Sequence, residues 1–277
     1  MCFGAVVNAA YVSFGFHAYG GNIGKDVHIS GIFELAAATV NGLIDPVPWF
    51  FSCHTLRTKI SCECCKLIME KMISISADEL GKMERFYRAN LINCLSGFKP
   101  VSLVGTVDKE GRANLAVFSN IVHLGADPAL VGFINRPRAA APHTLSNIES
   151  TGMYTINHIH PSFVSQAHQT SAKYPEGCSE FEATGIAPEY IEGIKAPFVK
   201  ESLVKYALAL EEIHPLKING TFLVIGKVLS IHLSRELLAE DGYLHLDRAD
   251  SICSLGLDGY FTTNAYSRYG YAKPDNC

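Results

Sequence analysis

The stretch VSLVGTVDKEGRANLAVFSN, residues 101–120, constrains the fold of this 277-residue chain more than any other. Its first part, Val101 to Val107, is apolar, rich in β-branched residues and free of charge, which predicts a buried strand. Asp108 to Gly111 then supplies a turn, and Arg112 to Ser119 returns with alternating side chains. The sequence therefore predicts a β-hairpin. It ends in a polar pair, Ser119 and Asn120, which the hairpin pattern alone does not explain.

The remainder of the chain after Phe98 also consists mainly of strand patterns. Further strands are expected at Leu130 to Ile134, Met153 to Ile159, Leu203 to Ile213 and Thr221 to Leu233. Short helices are expected at His143 to Ser150 and Pro161 to Thr170. Many strands with short turns and few helices favour a closed β-barrel, because closure removes exposed strand edges.

A capped helix precedes this region. Ser76 and Glu79 form a capping box in the sequence SADE, and Leu80, Met83, Tyr87 and Leu91 follow at helical spacing. This pattern predicts one helix ending near Asn93. Before it, cysteines are frequent and periodicity is weak. We therefore expect the folded domain to span residues 72–277.

Two interpretations of residues 1–71 remain open at this stage. They form either a weakly ordered extension, including one produced by translation begun upstream of the natural start, or an accessory segment that packs on the core. Limited proteolysis separates the two, since a protease-resistant 1–71 segment contradicts the first.

Charge and hydropathy limit the function classes. The net charge of −4 disfavours a nucleic-acid-binding protein, and no polybasic cluster suggests a membrane surface. The apolar N-terminus has its first basic residue at Lys25, too late for a secretory signal. Charged residues and prolines interrupt the apolar run from Gly31 to Phe51, so it falls short of a membrane span. These features predict a cytoplasmic protein.

Metal ligation has little support in the sequence. CECC at residues 62–65 lacks the second ligand pair of a structural zinc site, so free thiols are expected among the nine cysteines. His158 and His160 fall on one face of a predicted strand, where ordinary hydrogen bonds are the expected role. The sequence has no GxSxG, Walker or HExxH motif and no GxGxxG fingerprint.

An anion site is the stronger chemical signal. Asn135, Arg136 and Arg138 follow a predicted strand, and His143 and Thr144 open a predicted helix. Cationic side chains near a helix N-terminus favour a phosphate dianion. The alternative is a solvated basic loop in which Thr144 serves only as an N-cap.

Residues 98–275 resemble the flavin reductase-like family of FMN-binding split barrels, which includes the flavoredoxins. The resemblance is carried by several blocks in the order of the family, namely FKPVSLVGTVDKEGRANLAVFSN, DPALVGFINRP, HTLSNIESTGMYTIN, SAKYPEGCSEFEATGI, LVIGKVLSIHL and LGLDGYFTTNAYSRYGYAKPD. One departure is ADPALVG at 126–132, where many relatives have PDPPL. Pro128 is retained there and keeps the turn.

The resemblance implies a fold and a cofactor site. It implies a mainly β, six-stranded Greek-key split barrel, a homodimer, and FMN bound near the subunit interface. Residues matching the edge of the isoalloxazine ring are Phe118, Ser119, Asn120 and Ile121. Residues matching the ribityl phosphate are Asn135, Arg136, Arg138, His143 and Thr144. Ser171 and Ala172 match a loop that closes on the cofactor. The polar end of the hairpin thus gains a role as a flavin contact.

The resemblance also implies a reaction. A flavin reductase transfers hydride from NADH or NADPH to flavin and passes the electrons to a second acceptor, which can be a protein. Such a transfer requires no acid or base from a side chain, so no catalytic residue is expected. The alternative is a flavoredoxin-like electron carrier without its own NAD(P)H activity. An oxidase of the pyridoxamine-phosphate type is a third, less well matched possibility on the same fold.

Overall fold

The computed structural model describes residues 72–175 and 177–274. The expectations for residues 1–71, including the CECC cluster, lie outside the described residues and stay predictions. Within the described residues, no helix is both long and apolar enough to cross a membrane.

The described helices are short. They are α1 (Ala77–Lys82), α2 (Arg85–Leu95), α3 (Pro142–Thr151), α4 (Val164–Gln169) and α5 (Glu180–Thr184). Two 3₁₀ turns, Pro161–Phe163 and Arg235–Leu237, complete the helical elements of this part of the chain.

Strands dominate the architecture, as the sequence predicts. The strands of the main sheet are β2 (Ser102–Val107), β3 (Ala113–Phe118), β4 (Ile121–Ala126), β5 (Ala129–Asn135), β6 (Met153–His158), β9 (Val204–Leu216) and β10 (Thr221–Leu233). The short strands are β1 (Lys99–Pro100), β7 (Pro188–Glu189), β8 (Phe198–Val199), β11 (Cys253–Leu255) and β12 (Gly259–Phe261). The protein is therefore mainly β.

The main sheet has the order β3-β2-β6-β9-β10-β5-β4, and every neighbouring pair is antiparallel. Its two edges, β3 and β4, are joined by only Ser119 and Asn120. A flat sheet of seven strands would separate its edges by about 29 Å, at ~4.8 Å per spacing. Three residue steps reach only about 10 Å. The sheet must therefore curl into a barrel, which stays split along the seam where no ladder joins β3 to β4 within the described residues.

Two apolar cores follow from this curvature. The barrel interior contains Val104, Phe133, Tyr154 and Leu208, and Leu145 from α3 closes it. Helix α3 therefore acts as the plug of the barrel and is fixed relative to the sheet.

The second core lies on the outer side of the hairpin. Leu103 and Leu115 pack there against Phe163, Ala167 and Phe181, from the first 3₁₀ turn, α4 and α5. The predicted face of Ala113, Leu115 and Val117 belongs to this core, which confirms the alternation expected in β3.

Several predicted elements are confirmed, and the hairpin turn is among them. Gly111 has φ +83°, and its N–H donates to the Asp108 carbonyl at 3.1 Å. The strand predicted at Thr221 to Leu233 has these bounds in the structure. The capping box is also present, with Ser76 N 2.7 Å from the Glu79 carboxylate.

The single helix predicted from Ser76 to Asn93 is wrong. The chain leaves helical geometry at Met83, whose ψ is 149°, and restarts after Glu84. The Glu84 carboxylate accepts hydrogen bonds from Phe86 N at 2.7 Å and Tyr87 N at 2.9 Å. A second side-chain cap therefore begins a second helix. The predicted apolar stripe is not a core element, because neither helix contains a buried residue.

The other differences are smaller. The segment predicted as one helix at Pro161 to Thr170 is a 3₁₀ turn followed by α4. Strand β4 was not predicted, because IVHLGA mixes polar, glycine and apolar residues without clean alternation. Its inclusion raises the main sheet from the expected six strands to seven.

Candidate functional site

Helix α3 is seated on the sheet through a polar cluster. Asn114 Nδ2 on β3 donates to the hydroxyls of Thr106 and Thr144, each at 3.3 Å. Asn147 Nδ2 on α3 donates to the same Thr106 hydroxyl at 3.1 Å. Thr144 is almost fully buried, so its hydroxyl is occupied with the sheet. These bonds fix the first two turns of α3 against the part of the hairpin next to its turn.

The N-terminus of α3 has no side-chain cap. The N-cap residue is Ala141, and Pro142 follows at the first helical position, where its missing N–H costs nothing. The alternative in which Thr144 is the N-cap is therefore wrong, because Thr144 lies inside the first turn. The amides of this turn are left to bind another acceptor, and the helix dipole favours an anion there.

The loop before α3 contains both candidate arginines, and they differ. Arg138 forms a forked ion pair with Glu149, with Nη1 to Oε2 at 2.8 Å and a second contact between Nη2 and Oε1. This hydrogen bonding lowers the pKa of the Glu149 carboxyl below its ordinary value. Arg136 is exposed, and no ion pair or hydrogen bond links its guanidinium to another described residue.

Asn135 ends β5 directly before these arginines. It is fully buried, and its Nδ2 donates to the Arg136 carbonyl at 2.7 Å. Its Oδ1 has no partner among the described residues. A buried acceptor without a donor costs about 1–3 kcal/mol, so the side chain holds the loop while leaving an acceptor for a further group.

The seam residues lie next to this loop. Phe118 packs edge-to-face on Phe133 with ring centroids 4.8 Å apart. The carbonyl of Asn120 accepts from Ile134 N at 3.3 Å, so the Ser119–Asn120 link is fixed to the end of β5. Ile121 begins β4 and packs on the interior core. The structure therefore brings the seam residues next to the loop of Asn135, Arg136 and Arg138.

The outer edge of β3 offers free backbone groups. Leu115 N donates to the Glu180 carboxylate at 3.0 Å, which shows that odd-numbered residues of β3 direct their backbone groups away from β2. By this alternation, Val117 also directs its N–H and C=O outward. These groups have no partner among the described residues.

Ser171 and Ala172 lie in the turn that ends α4, and both are exposed. Their amides donate to the carbonyls of His168 at 3.0 Å and Gln169 at 3.1 Å. No described hydrogen bond joins them to the other candidate residues. The segment that follows them faces α3 across a cleft.

That cleft has a volume of about 380 Å³. On the α3 side it is lined by His143, Ser146, Asn147 and Ser150, which share one helix face. The remaining lining residues belong to the β2–β3 turn, the start of β3 and the segment around Tyr174 to Glu180. Of the predicted site residues, only His143 lines it.

The two histidines singled out by sequence make ordinary hydrogen bonds. His158 Nδ1 is 3.1 Å from the Ser251 hydroxyl, and His160 Nδ1 accepts from Ser162 N at 3.1 Å. Burial lowers the pKa of His158 to about 4. Among the described residues, no group of three His, Cys, Asp or Glu side chains is placed to hold a metal ion.

Sequence reasoning missed the residues that hold the site in place. Asn114, Asn147, Glu149 and Phe222 support the α3 region, and Glu180 bonds to the β3 edge. Asn147 lies inside the HTLSNI block, which is the one signal that pointed to it. The contacts of Glu149 and Glu180 join residues 11 and 65 positions apart, so no local pattern reveals them.

An antiparallel sheet curled into a split barrel places the chain among the split β-barrel proteins, and comparison with known proteins gives the family. The family model of the flavin reductase like domain matches residues 98–253. The chain therefore belongs to the flavin reductase like family.

Solved structures agree with this assignment. A protein with a split barrel domain from Shewanella frigidimarina NCIMB 400, described as a flavin reductase, is 45% identical, with 73% of this chain and 100% of that chain covered and a TM-score of 0.71. Nitrilotriacetate monooxygenase component B from Bacillus cereus is 25% identical over 72% of this chain and 98% of its own, with a TM-score of 0.64.

A more distant structure shows the same fold. Flavoredoxin of Desulfovibrio vulgaris (Miyazaki F) is 20% identical, covers 64% of this chain and 92% of its own, and has a TM-score of 0.56. The expected split-barrel fold is confirmed.

Proposed function

We propose that this protein binds FMN and acts as an NAD(P)H:flavin oxidoreductase. The observation that carries the proposal is the uncapped N-terminus of α3 at the end of a loop that presents Arg136, whose guanidinium has no partner among the described residues. Free amides and a guanidinium together suit a phosphate dianion, the charged end of FMN. Membership in the flavin reductase like family supports a flavin as the nucleotide that carries this phosphate.

The chain's residues fit the phosphate end of this ligand. The first-turn amides of α3, including those of His143 and Thr144, would donate to phosphate oxygens, and Arg136 would add a charge-assisted hydrogen bond. The buried Oδ1 of Asn135, which has no partner in the described part of the chain, lies at the start of the same loop and would accept from a hydroxyl of the ribityl chain. Each charge-assisted contact contributes about 1.5–3 kcal/mol.

The other end of the ligand fits the edge of β3. An isoalloxazine ring carries alternating donors and acceptors on its pyrimidine edge. The outward N–H and C=O of Val117 offer a donor and an acceptor without a side chain. Ser119 and Asn120 add short polar groups at the seam, and Ser171 and Ala172 would close over the bound nucleotide.

In this proposal the bound flavin accepts a hydride from reduced nicotinamide nucleotide and passes both electrons to a second acceptor. The protein binds and orients the two nucleotides and limits water at the ring. The cleft beside His143 has the volume of a small-ligand site and would take part of the nicotinamide nucleotide. The sites described contain no paired general acid and base, and the reaction requires none.

The test uses the purified full-length protein. A yellow protein, or one that quenches FMN fluorescence on titration, supports the cofactor assignment. Anaerobic stopped-flow mixing of the FMN-loaded protein with NADH or NADPH then tests the reaction. Rapid bleaching of the flavin band at micromolar nucleotide supports the reductase. Bleaching absent at millimolar nucleotide contradicts it and favours the flavoredoxin-like electron carrier.

We further propose a cytoplasmic homodimer. Strand β4 is an edge of the barrel and exposes Val122 and Leu124 at 42% and 41%. An exposed apolar edge strand favours pairing with another chain, and a second copy is the partner that the family resemblance implies. Light scattering on a size-exclusion column measures the mass. A dimer that Leu124→Lys converts to monomer supports the proposal, and a monomeric wild type contradicts it.

A further inference from the structure

The two arginines of the loop between β5 and α3, Arg136 and Arg138, have different surroundings, and Arg138 already has bonding partners. Its guanidinium meets the Glu149 carboxylate through both Nη atoms. Its Cζ also lies 5.1 Å from the centroid of the Phe222 ring. A forked ion pair stacked on an aromatic ring fixes a guanidinium in one plane.

These contacts join three elements. Arg138 belongs to the loop after β5, Glu149 lies near the C-terminal end of α3, and Phe222 is the second residue of β10, opposite Asn135. A carboxylate close to the negative end of a helix is unfavourable without a cation. Arg138 offsets that charge and holds α3 to the loop that leads into its own N-terminus.

Arg136 has the opposite arrangement. Its backbone is held by the buried Asn135, while its guanidinium is exposed and has no partner among the described residues. Turning Arg138 to a phosphate would break both of its bonds and leave the Glu149 carboxylate without a cation near a dianion. Turning Arg136 to the phosphate breaks no described contact.

We infer that Arg136 contacts the phosphate of the flavin nucleotide, whereas Arg138 is a positioning residue that acts through Glu149 and does not touch it. The inference rests on the proposed function. Arg138 aligns the first-turn amides of α3, so its loss weakens phosphate recognition indirectly.

The discriminating variant is Glu149→Gln. If Arg138 bound phosphate, this change would free its guanidinium and remove a nearby negative charge, so FMN would bind more tightly. If Arg138 positions α3, the change disrupts the pair as Arg138→Gln does, so FMN binds more weakly. The two models predict opposite signs for one neutral, nearly isosteric substitution.

The experiment measures dissociation constants for FMN and for riboflavin, which lacks the phosphate, by quenching of flavin fluorescence. Arg136→Gln is expected to weaken FMN about 10- to 100-fold and leave riboflavin unchanged. Arg138→Gln and Glu149→Gln are each expected to weaken FMN about 3- to 10-fold, at the scale of an indirect effect, again with little change for riboflavin. Lys195→Gln, at an exposed lysine in the β7–β8 connection, serves as the matched control.

Additivity gives a second readout. Arg138→Gln with Glu149→Gln is expected to be no worse for FMN than either single change, because both remove one interaction. Arg136→Gln with Glu149→Gln is expected to show the product of the two losses. Unfolding by urea without flavin gives the same comparison for stability, where Arg138 and Glu149 are coupled and Arg136 has no effect.

Tighter FMN binding by Glu149→Gln, or unchanged FMN binding by Arg136→Gln, overturns the inference while the wild type still binds flavin. A global loss of structure would lower FMN and riboflavin affinity together, and this outcome also overturns the positioning role. A wild type that binds neither ligand overturns the proposed function itself. The urea comparison then still reports whether Arg138 and Glu149 are coupled, so the two failures are distinguishable.

Discussion

The hydroxyl of Tyr154 lies inside the barrel without a hydrogen-bond partner among the described residues. Burial raises the pKa of this phenol above its ordinary value, so the group stays neutral and unpaired. A Cβ placed on Gly226 would lie 2.2 Å from the same oxygen, which explains why β10 has a glycine there. The strand accommodates the hydroxyl at the cost of a side chain.

Removing this hydroxyl is expected to be neutral or stabilising. Tyr154→Phe deletes an unsatisfied buried group, so the free energy of unfolding is predicted to stay equal or rise by about 1 kcal/mol. Gly226→Ala alone is predicted to destabilise by roughly 1–3 kcal/mol through overpacking. Urea unfolding of both variants and of the double variant measures the coupling. The Tyr154 oxygen is the atom nearest to the added Cβ, so Tyr154→Phe should recover part of the free energy of unfolding that Gly226→Ala loses. Strictly additive changes in the double variant would contradict this explanation.

His158 gives a prediction for pH. Burial lowers its pKa from 6.5 to about 4, so the folded protein keeps a neutral imidazole where the unfolded chain takes up a proton. Protonation therefore stabilises the unfolded state as pH falls from 6.5 to about 4, and the free energy of unfolding decreases over this range. The predicted loss is on the order of 2–3 kcal/mol, at about 1.4 kcal/mol per pH unit.

Urea unfolding at several pH values between 7 and 4.5 measures this loss. Other groups titrate in the same range, so the informative quantity is the difference from His158→Gln, which cannot take up the proton. The variant is expected to have the shallower pH dependence. Parallel curves for the two proteins would show that the imidazole does not contribute.

At the scale of elements, local sequence patterns predicted the strands and turns that depend on neighbouring residues. The β-branched run of β2 and the alternation of β3 are properties of the sequence itself, and both strands are present. Strand β4 could not be found this way, because it is defined by pairing with β5. The break between α1 and α2 depends on a glutamate that caps through its side chain, and the apolar spacing across it concealed that signal.

Strand β8 gives the prediction at this scale. It is tied to the barrel by the fully buried Asn157, whose Oδ1 accepts from Val199 N at 2.9 Å and whose Nδ2 donates to the Leu103 carbonyl at 3.1 Å. Asn157→Ala removes the acceptor of the Val199 N–H and the side-chain donor to the Leu103 carbonyl, and is predicted to cost about 3 kcal/mol. Asn93→Ala removes one bond to the Ala89 carbonyl on a half-exposed helix and should cost less than about 1 kcal/mol.

Thermal melting or urea unfolding compares these two variants. Hydrogen exchange adds a local measurement, since the Val199 amide should lose protection in Asn157→Ala. An equal decrease in the free energy of unfolding for the two asparagine variants would show that the hydrogen bonds of Asn157 contribute no more than an ordinary side-chain hydrogen bond.

At the scale of the whole molecule, the barrel was predictable and the division of roles in its site was not. Strand number and turn spacing already favoured a closed sheet, and the resemblance implied that the loop after β5 binds a phosphate. Sequence could not distinguish Arg136 from Arg138, because the difference depends on Glu149, 11 residues further on, and on Phe222 from another strand. Contacts between distant residues decide which charge is available.

The seam of the barrel leads to the last prediction. The proposed ligand would contact Ser119 directly after β3, the loop after β5 and the start of α3, which lie on the two sides of the split. A ligand that joins them stabilises only the closed fold, so FMN at about 100 times its dissociation constant should add ~2.7 kcal/mol. For a chain of this size that raises the melting temperature by roughly 5 °C or more. Riboflavin at the same concentration should give a smaller shift, and Arg136→Gln should reduce the FMN shift towards that of riboflavin. A melting temperature unmoved by millimolar FMN would contradict the site.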